Sequence, residues 1–117
     1  MTKEFILKTV CAFYNLDYKE LQSKNRNGKY VKARQVFYYF CKWNTIESLQ
    51  SMAKTLNQVH SNAIHGIKET ECKLPLYLDF RIEISRINAM LTKSEAVFNT
   101  LIPIEINLLA LTHLNNK

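Results

Sequence analysis

Glycine and proline are scarce, with two of each in 117 residues. Apolar residues recur mostly three and four apart, so the chain reads as all-α. Strand-like alternation is confined to Ile102–Ile106. No repeat, linker or low-complexity stretch is visible, and 47% hydrophobic content is too high for a disordered tail. The three cysteines, Cys11, Cys41 and Cys72, are odd in number and widely spaced, which argues against a disulfide framework. Each falls on an apolar helix stripe, so reduced core thiols in a cytoplasm are expected. The longest apolar run, Leu101 to Leu111, contains Pro103, Glu105 and Asn107 and is too short to span a bilayer. The start, Met-Thr-Lys-Glu-Phe, lacks the pattern of a signal peptide.

Catalytic patterns are absent too. There is no Gly-rich phosphate loop, nucleophile elbow or credible carboxylate pair, so neither enzyme activity nor a nucleotide cofactor is expected. Asp79 and Glu83 have Arg81 and Arg86 within reach and read as a solvated face. His60 and His65 are five apart, not the four of a zinc helix, and no Cys or Glu stands nearby at ligand spacing.

The most telling lack is of negative charge. From Leu21 to Ile46 there is no Asp or Glu, while Lys24, Arg26, Lys29, Lys32, Arg34 and Lys42 all fall there. The whole chain carries 16 basic and 10 acidic residues, net +6, so everything outside the window is neutral. A field this concentrated is the footprint of a surface that meets a polyanion.

The helices can be placed in outline. Phe5, Ile6, Val10, Phe13 and Tyr14 mark a first one, ended by Asn15. Asp17 to Leu21 makes a short capped turn, and Ser23 to Lys29 a polar loop. Tyr30 to Trp43 is the next helix. Its run Phe37-Tyr-Tyr-Phe40 points all round the axis, so at least two of the four belong to the core, and packing outweighs base stacking as their use. Thr45 or Ser48 can cap a helix to Leu56, Asn57-Gln58 is a turn, and another helix runs from Val59 or His60 to Lys73. Leu76 to Leu91 follows, with Leu76, Phe80, Ile84, Ile87 and Leu91 inward; Ser94 starts a further segment, interrupted at Pro103.

The pair Ser48–Leu56 and His60–Lys73 has helix-turn-helix spacing. Leu49, Met52, Ala53, Leu56, Ala63, Ile64 and Ile67 face inward, and the alanines permit close approach. His60, Ser61, Asn62 and His65 are left outward at the start of the second helix, where such motifs enter the major groove. Asn suits adenine; Ser and His suit base edges or phosphate. His65 reads equally well as a structural histidine beside the helix contact.

Over roughly residues 5–91 the chain resembles the C-terminal DNA-binding domain of the DnaA family of bacterial replication initiators. The blocks Lys8-Thr-Val-Cys-Ala-Phe-Tyr14, Leu21-Gln-Ser-Lys-Asn-Arg26, Val31-Lys-Ala-Arg-Gln35 and Ser48-Leu49 to His65 carry the resemblance. It implies a multi-helix orthogonal bundle of Trp-repressor-like type, with double-stranded DNA as partner. Arg26 would enter the minor groove. Lys32, Arg34 and Gln35 would face backbone phosphates, with Lys24 and Lys29 beside them, and Ser48 and Leu49 would touch phosphate. His60, Ser61 and Asn62 would lie over major-groove bases, with Val59 and His65 alongside. Six engaged phosphates would give log K a slope of about −5 against log salt. The family signature has Arg-Asp before the first histidine, and this chain has Gln58-Val59, so a base-reading carboxylate is replaced by a methyl surface. The resemblance also implies a free-standing module without an ATPase domain, acting in the cytoplasm at the nucleoid in replication or transcription, with no membrane role.

Residues 1–91 would form the domain and 92–117 an extension. Val97, Leu101, Ile102, Ile104, Ile106, Leu108, Leu109, Leu111 and Leu114 would cap the core or make a homodimer. A protein-interaction regulator or decoy that has lost sequence-specific DNA reading is the alternative from another class.

Overall fold

The computed structural model describes residues 1–100, with side chains as far as Lys93. Among the described residues six helices are present: α1 (Lys3–Tyr14), α2 (Tyr18–Leu21), α3 (Gly28–Asn44), α4 (Leu49–Thr55), α5 (His60–Lys73) and α6 (Leu78–Thr100). Among the described residues there is no strand, as the spacing predicts.

Local chemistry explains most boundaries. Thr2 Oγ1 accepts from the Phe5 amide at 3.1 Å and opens α1. Asn15 adopts the left-handed conformation, φ 56°, and closes it. Asp17 Oδ1 accepts from the Lys19 amide at 3.0 Å to open α2. Asn27 caps α3, which starts at Gly28, before the Tyr30 expected. Ser48 Oγ caps α4 by accepting from the Ser51 amide at 3.1 Å. Pro75 follows α5, and the Leu74 and Pro75 carbonyls both accept from Arg81 Nη1, at 3.2 and 3.1 Å.

α3 is the axis of the molecule. Ala33, Val36, Phe37, Tyr38, Phe40 and Cys41 are buried along it, against Ile6, Val10 and Cys11 of α1 and Ala63 and Ile67 of α5. α6 closes the other side with Phe80, Ile84, Ile87 and Leu91, four of the five inward residues read from the sequence. Tyr14, Lys32 and Glu83 pin it there: the Tyr14 hydroxyl donates to Glu83 Oε2 at 2.9 Å, and Lys32 Nζ lies 3.1 Å from the same oxygen.

Several expectations are corrected. Leu76 is 71% exposed, because the chain turns there before α6 begins. Glu83 is not on a solvated face but holds Tyr14 and Lys32. α6 runs unbroken through Ser94 to Thr100; no Gly or Pro interrupts it, and a serine is only mildly unfavourable inside a helix. The readings on Ile102–Ile106, and on the tail as cap or dimer from Leu101 onward, lie outside the described residues. No helix among the described residues is long and apolar enough to cross a membrane.

Cys11 and Cys41 are buried, whereas Cys72 is exposed on the outer face of α5. Burial pushes the Cys11 thiol up to about 11 and Cys41 up to about 12. A thiol reagent at pH 8 is therefore expected to modify Cys72 quickly in the folded chain, and Cys11 and Cys41 only after denaturation. Rapid native labelling of all of them would contradict the packing of α1 on α3.

Candidate nucleic-acid interface

α4 and α5 form a helix-turn-helix whose turn is bonded backbone to backbone. The amides of Leu56 and Asn57 donate to Ala53 and Lys54 carbonyls at 3.0 Å, and Gln58 N donates to Ala53 O at 2.9 Å. Asn57, at φ 55°, takes the left-handed position that reverses the chain. Met52, Ala53, Leu56, Ala63 and Ile67 fill the angle between the helices; Leu49 and Ile64 are half-buried at its edge.

The outward residues are placed as the spacing predicts. Val59, His60, Ser61, Asn62 and His65 are all exposed at the start of α5. Val59 occupies the N-cap and gives no side-chain cap, so no side chain covers the opening amides of α5. Asn62 Nδ2 donates to Gln58 Oε1, a bond that orients the asparagine amide. Lys68, outside the basic window, is also exposed and shares the outer stripe of α5 with Ser61 and His65, a placement present in the helical spacing.

The loop ahead of α3 is built from side-chain turns. Asn25 N donates to Ser23 Oγ, Asn27 N to Asn25 Oδ1 and Lys29 N to Asn27 Oδ1, at 3.2, 2.9 and 3.2 Å. This is why Ser and Asn alternate there. Lys24, Arg26 and Lys29 all point to solvent. The loop is also tied to the helix-turn-helix: Gln22 Nε2 donates to Thr55 O at 3.0 Å, and Asn57 Nδ2 donates to Gln22 O at 3.4 Å.

Two basic residues depart from expectation. Arg34 is 8% exposed and does not present its charge to solvent. Its Nε donates to Leu21 O at 2.7 Å, and its Nη2 to Glu20 O and Ser23 O at 3.0 Å. Arg34 is a post that holds the loop: Leu21 O and Ser23 O have it as donor, and Glu20 O accepts from it as well as from Ser23 N and Oγ. Lys32 lies on another face of α3, paired with Glu83 and over the Tyr14 ring, 5.3 Å from its centroid. It docks α6 instead of facing the loop side.

Gln35 remains on the face of α3 that meets α5. Arg26, Arg34, Gln35, Tyr38, Asn62 and His65 border one cleft of about 480 Å³ between the loop and α5. Leu49 and Ser48 stand apart from it at the start of α4, where Ser48 Oγ is committed to its own helix. Among the described residues no cluster of His, Cys, Asp or Glu is arranged to hold a metal ion.

An all-helical bundle that presents an exposed helix start beside a basic loop defines a helix-turn-helix protein. Comparison with known families is specific: the model of the bacterial DnaA protein helix-turn-helix matches residues 3–69. The chain belongs to that family. The chromosomal replication initiator protein DnaA of Bacteroides thetaiotaomicron is 30% identical over 94 residues, covering 80% of this chain and 20% of that protein. That of Nautilia profundicola is 34% identical over 88 residues, 74% of this chain and 20% of its own length. The DnaA of Desulfatibacillum aliphaticivorans is 32% identical over 71 residues, 61% of this chain and 16% of its own. The chain thus spans about a fifth of the relatives it matches.

Proposed function

We propose that this chain binds double-stranded DNA, with the start of α5 in the major groove and the Lys24–Lys29 loop at the adjacent minor groove. The observation that carries the reading is the fixed spacing between two exposed polar surfaces. Gln22, Thr55 and Asn57 tie the loop to the helix-turn-helix, so Arg26 on one and His60, Ser61 and Asn62 on the other are presented together. Asn62 and Ser61 are the base readers, Val59 offers a methyl contact, and His60 and His65 flank them. Arg26 enters the minor groove and adds its charge to the phosphate contacts of Lys24, Lys29 and Lys68, with Gln35, Ser48 and Leu49 at the margins. Nucleoid association, and a part in replication initiation or transcriptional control, go with this reading, and neither nucleotide nor metal takes part in it.

Fluorescence anisotropy across a salt series tests it, with a duplex bearing the initiator's box, a scrambled duplex and a single strand as probes. Tight duplex binding is expected. With Lys32 and Arg34 engaged inside the molecule, about four phosphates remain, and log K should fall with a slope of about −4. Asn62→Ala should relax preference at one base position while leaving that slope intact. Failure to bind any duplex at low salt would overturn the reading.

A second reading, as a protein-interaction module, draws on the exposed apolar residues Leu76, Tyr77, Leu78 and Ile82 around the start of α6. Homodimerisation belongs to this surface or to the apolar residues beyond Thr92. A doubled mass in sedimentation, without duplex binding, would favour it.

A further inference from the structure

We propose that the cleft between the basic loop and α5 is a seat for one backbone phosphate, and that the Tyr38 hydroxyl on its floor donates a hydrogen bond to it. The inference rests on the DNA reading and adds to it a residue, from the middle of α3, that the charge pattern does not reveal.

Tyr38 is 1% exposed, and its hydroxyl is the only buried side-chain N or O atom without a partner among the described residues. An unpaired buried hydroxyl is costly, and phenylalanine would fill the same volume without that cost. The hydroxyl therefore marks a place where a partner belongs. The cleft says what kind: beside Tyr38 its polar lining comes from Arg26, Arg34, Gln35, Gln58, Asn62 and His65, with no carboxylate, and the Gln58 Oε1 acceptor is already taken by Asn62 Nδ2. A donor-rich, acid-free recess takes an anion.

Position identifies the anion. One wall is the loop that carries Arg26, the other is the start of α5, and α3 is the floor. A duplex that offers its minor groove to the first and its major groove to the second must run the intervening sugar-phosphate strand across the cleft. The tyrosine is prearranged for this. A Cβ at position 66 would lie 2.9 Å from Tyr38 Cδ2, so the ring is seated against bare Gly66 backbone and little side-chain freedom is left to lose. Burial pushes the Tyr38 pKa up, against the pull of Arg34, so the group is a protonated donor. Among the described residues the Arg26 and Gln35 side chains make no hydrogen bond; they are free to move aside as the phosphate enters.

Tyr38→Phe is the test, read by anisotropy on the duplex the unsubstituted chain binds best and on copies with one methylphosphonate placed at successive positions. Tyr38→Phe should weaken binding about tenfold, as for loss of a hydrogen bond to a charged group. The salt slope should not change, since no cation is lost, and thermal stability should hold or rise. At one methylphosphonate position the unsubstituted chain should lose affinity while Tyr38→Phe loses little more. Equal affinity of the two proteins for the native duplex, or the same Tyr38→Phe penalty at every methylphosphonate position, would overturn the seat while leaving the DNA reading in place. No duplex binding by the unsubstituted chain would overturn both.

Discussion

Arg34→Ala is expected to lower the unfolding free energy by about 3 kcal/mol. The substitution leaves the carbonyls of Leu21 and Ser23 without their donor, removes one of three donors from Glu20 O, and opens a gap between α3 and the end of α2. Hydrogen bonds to a charged group contribute about 1.5–3 kcal/mol each, and water entering the gap restores part of that. For a domain of this size such a loss corresponds to roughly 10–20 °C in Tm. Arg34→Lys keeps the charge but replaces a planar fork with a single ammonium, and should recover less than half of the loss. Urea unfolding followed by circular dichroism measures both. Duplex affinity should fall as well, through a loop that no longer holds Arg26 in place. The competing account, in which Arg34 touches phosphate directly, makes the opposite pair of predictions: unchanged stability and a salt slope shallower by about 1.

Arg34 also shows where the sequence stops being readable. Its place in a basic window is plain from composition, and the window does hold Lys24, Arg26 and Lys29 out to solvent. Charge alone does not say which cation meets water and which meets an orphan carbonyl. That depends on the fold of α2 back onto α3, across 13 positions between Leu21 and Arg34. Lys32 was hidden for the same reason, since its partner Glu83 is 51 positions away. Features set by neighbours in the chain were legible: the Asn15 stop, the Ser48 cap, the Asn57-Gln58 turn and the Phe80, Ile84, Ile87, Leu91 stripe. Cys72 looked like part of an apolar stripe because helical spacing is ambiguous at a stripe's edge; it lies outward, next to the buried Thr70. The exposed start of α5 was legible because the inward set on both motif helices leaves it nowhere else to face. Tyr38 gave no signal, since a tyrosine within an aromatic run is indistinguishable from ordinary core until its hydroxyl is seen to lack a partner.

Gly66→Val should be more damaging still, at about 4 kcal/mol or more, enough to leave much of the chain unfolded at 37 °C if its stability lies at the lower end of the usual range. A Cβ there would meet Tyr38 Cδ2 at 2.9 Å and Gln35 Cα at 3.1 Å. The first atom belongs to a buried ring and the second to the backbone of α3, so neither can yield without moving a helix. Even Gly66→Ala pits a helix-propensity gain of about 1 kcal/mol against an overpacking cost of about 1–3 kcal/mol, and should come out destabilising. The larger side chain forces α5 away from α3, which changes the spacing between Arg26 and the exposed residues His60, Ser61 and Asn62. Affinity for every duplex should therefore fall together in whatever fraction stays folded. Tyr38→Ala in the Gly66→Val background removes the ring that clashes. A double-mutant cycle by thermal unfolding should then show a coupling of more than about 1 kcal/mol between the two positions. A Gly66→Ala protein more stable than the unsubstituted chain would mean that α3 and α5 stand further apart than this packing has them, and that the cleft between loop and helix is correspondingly wider.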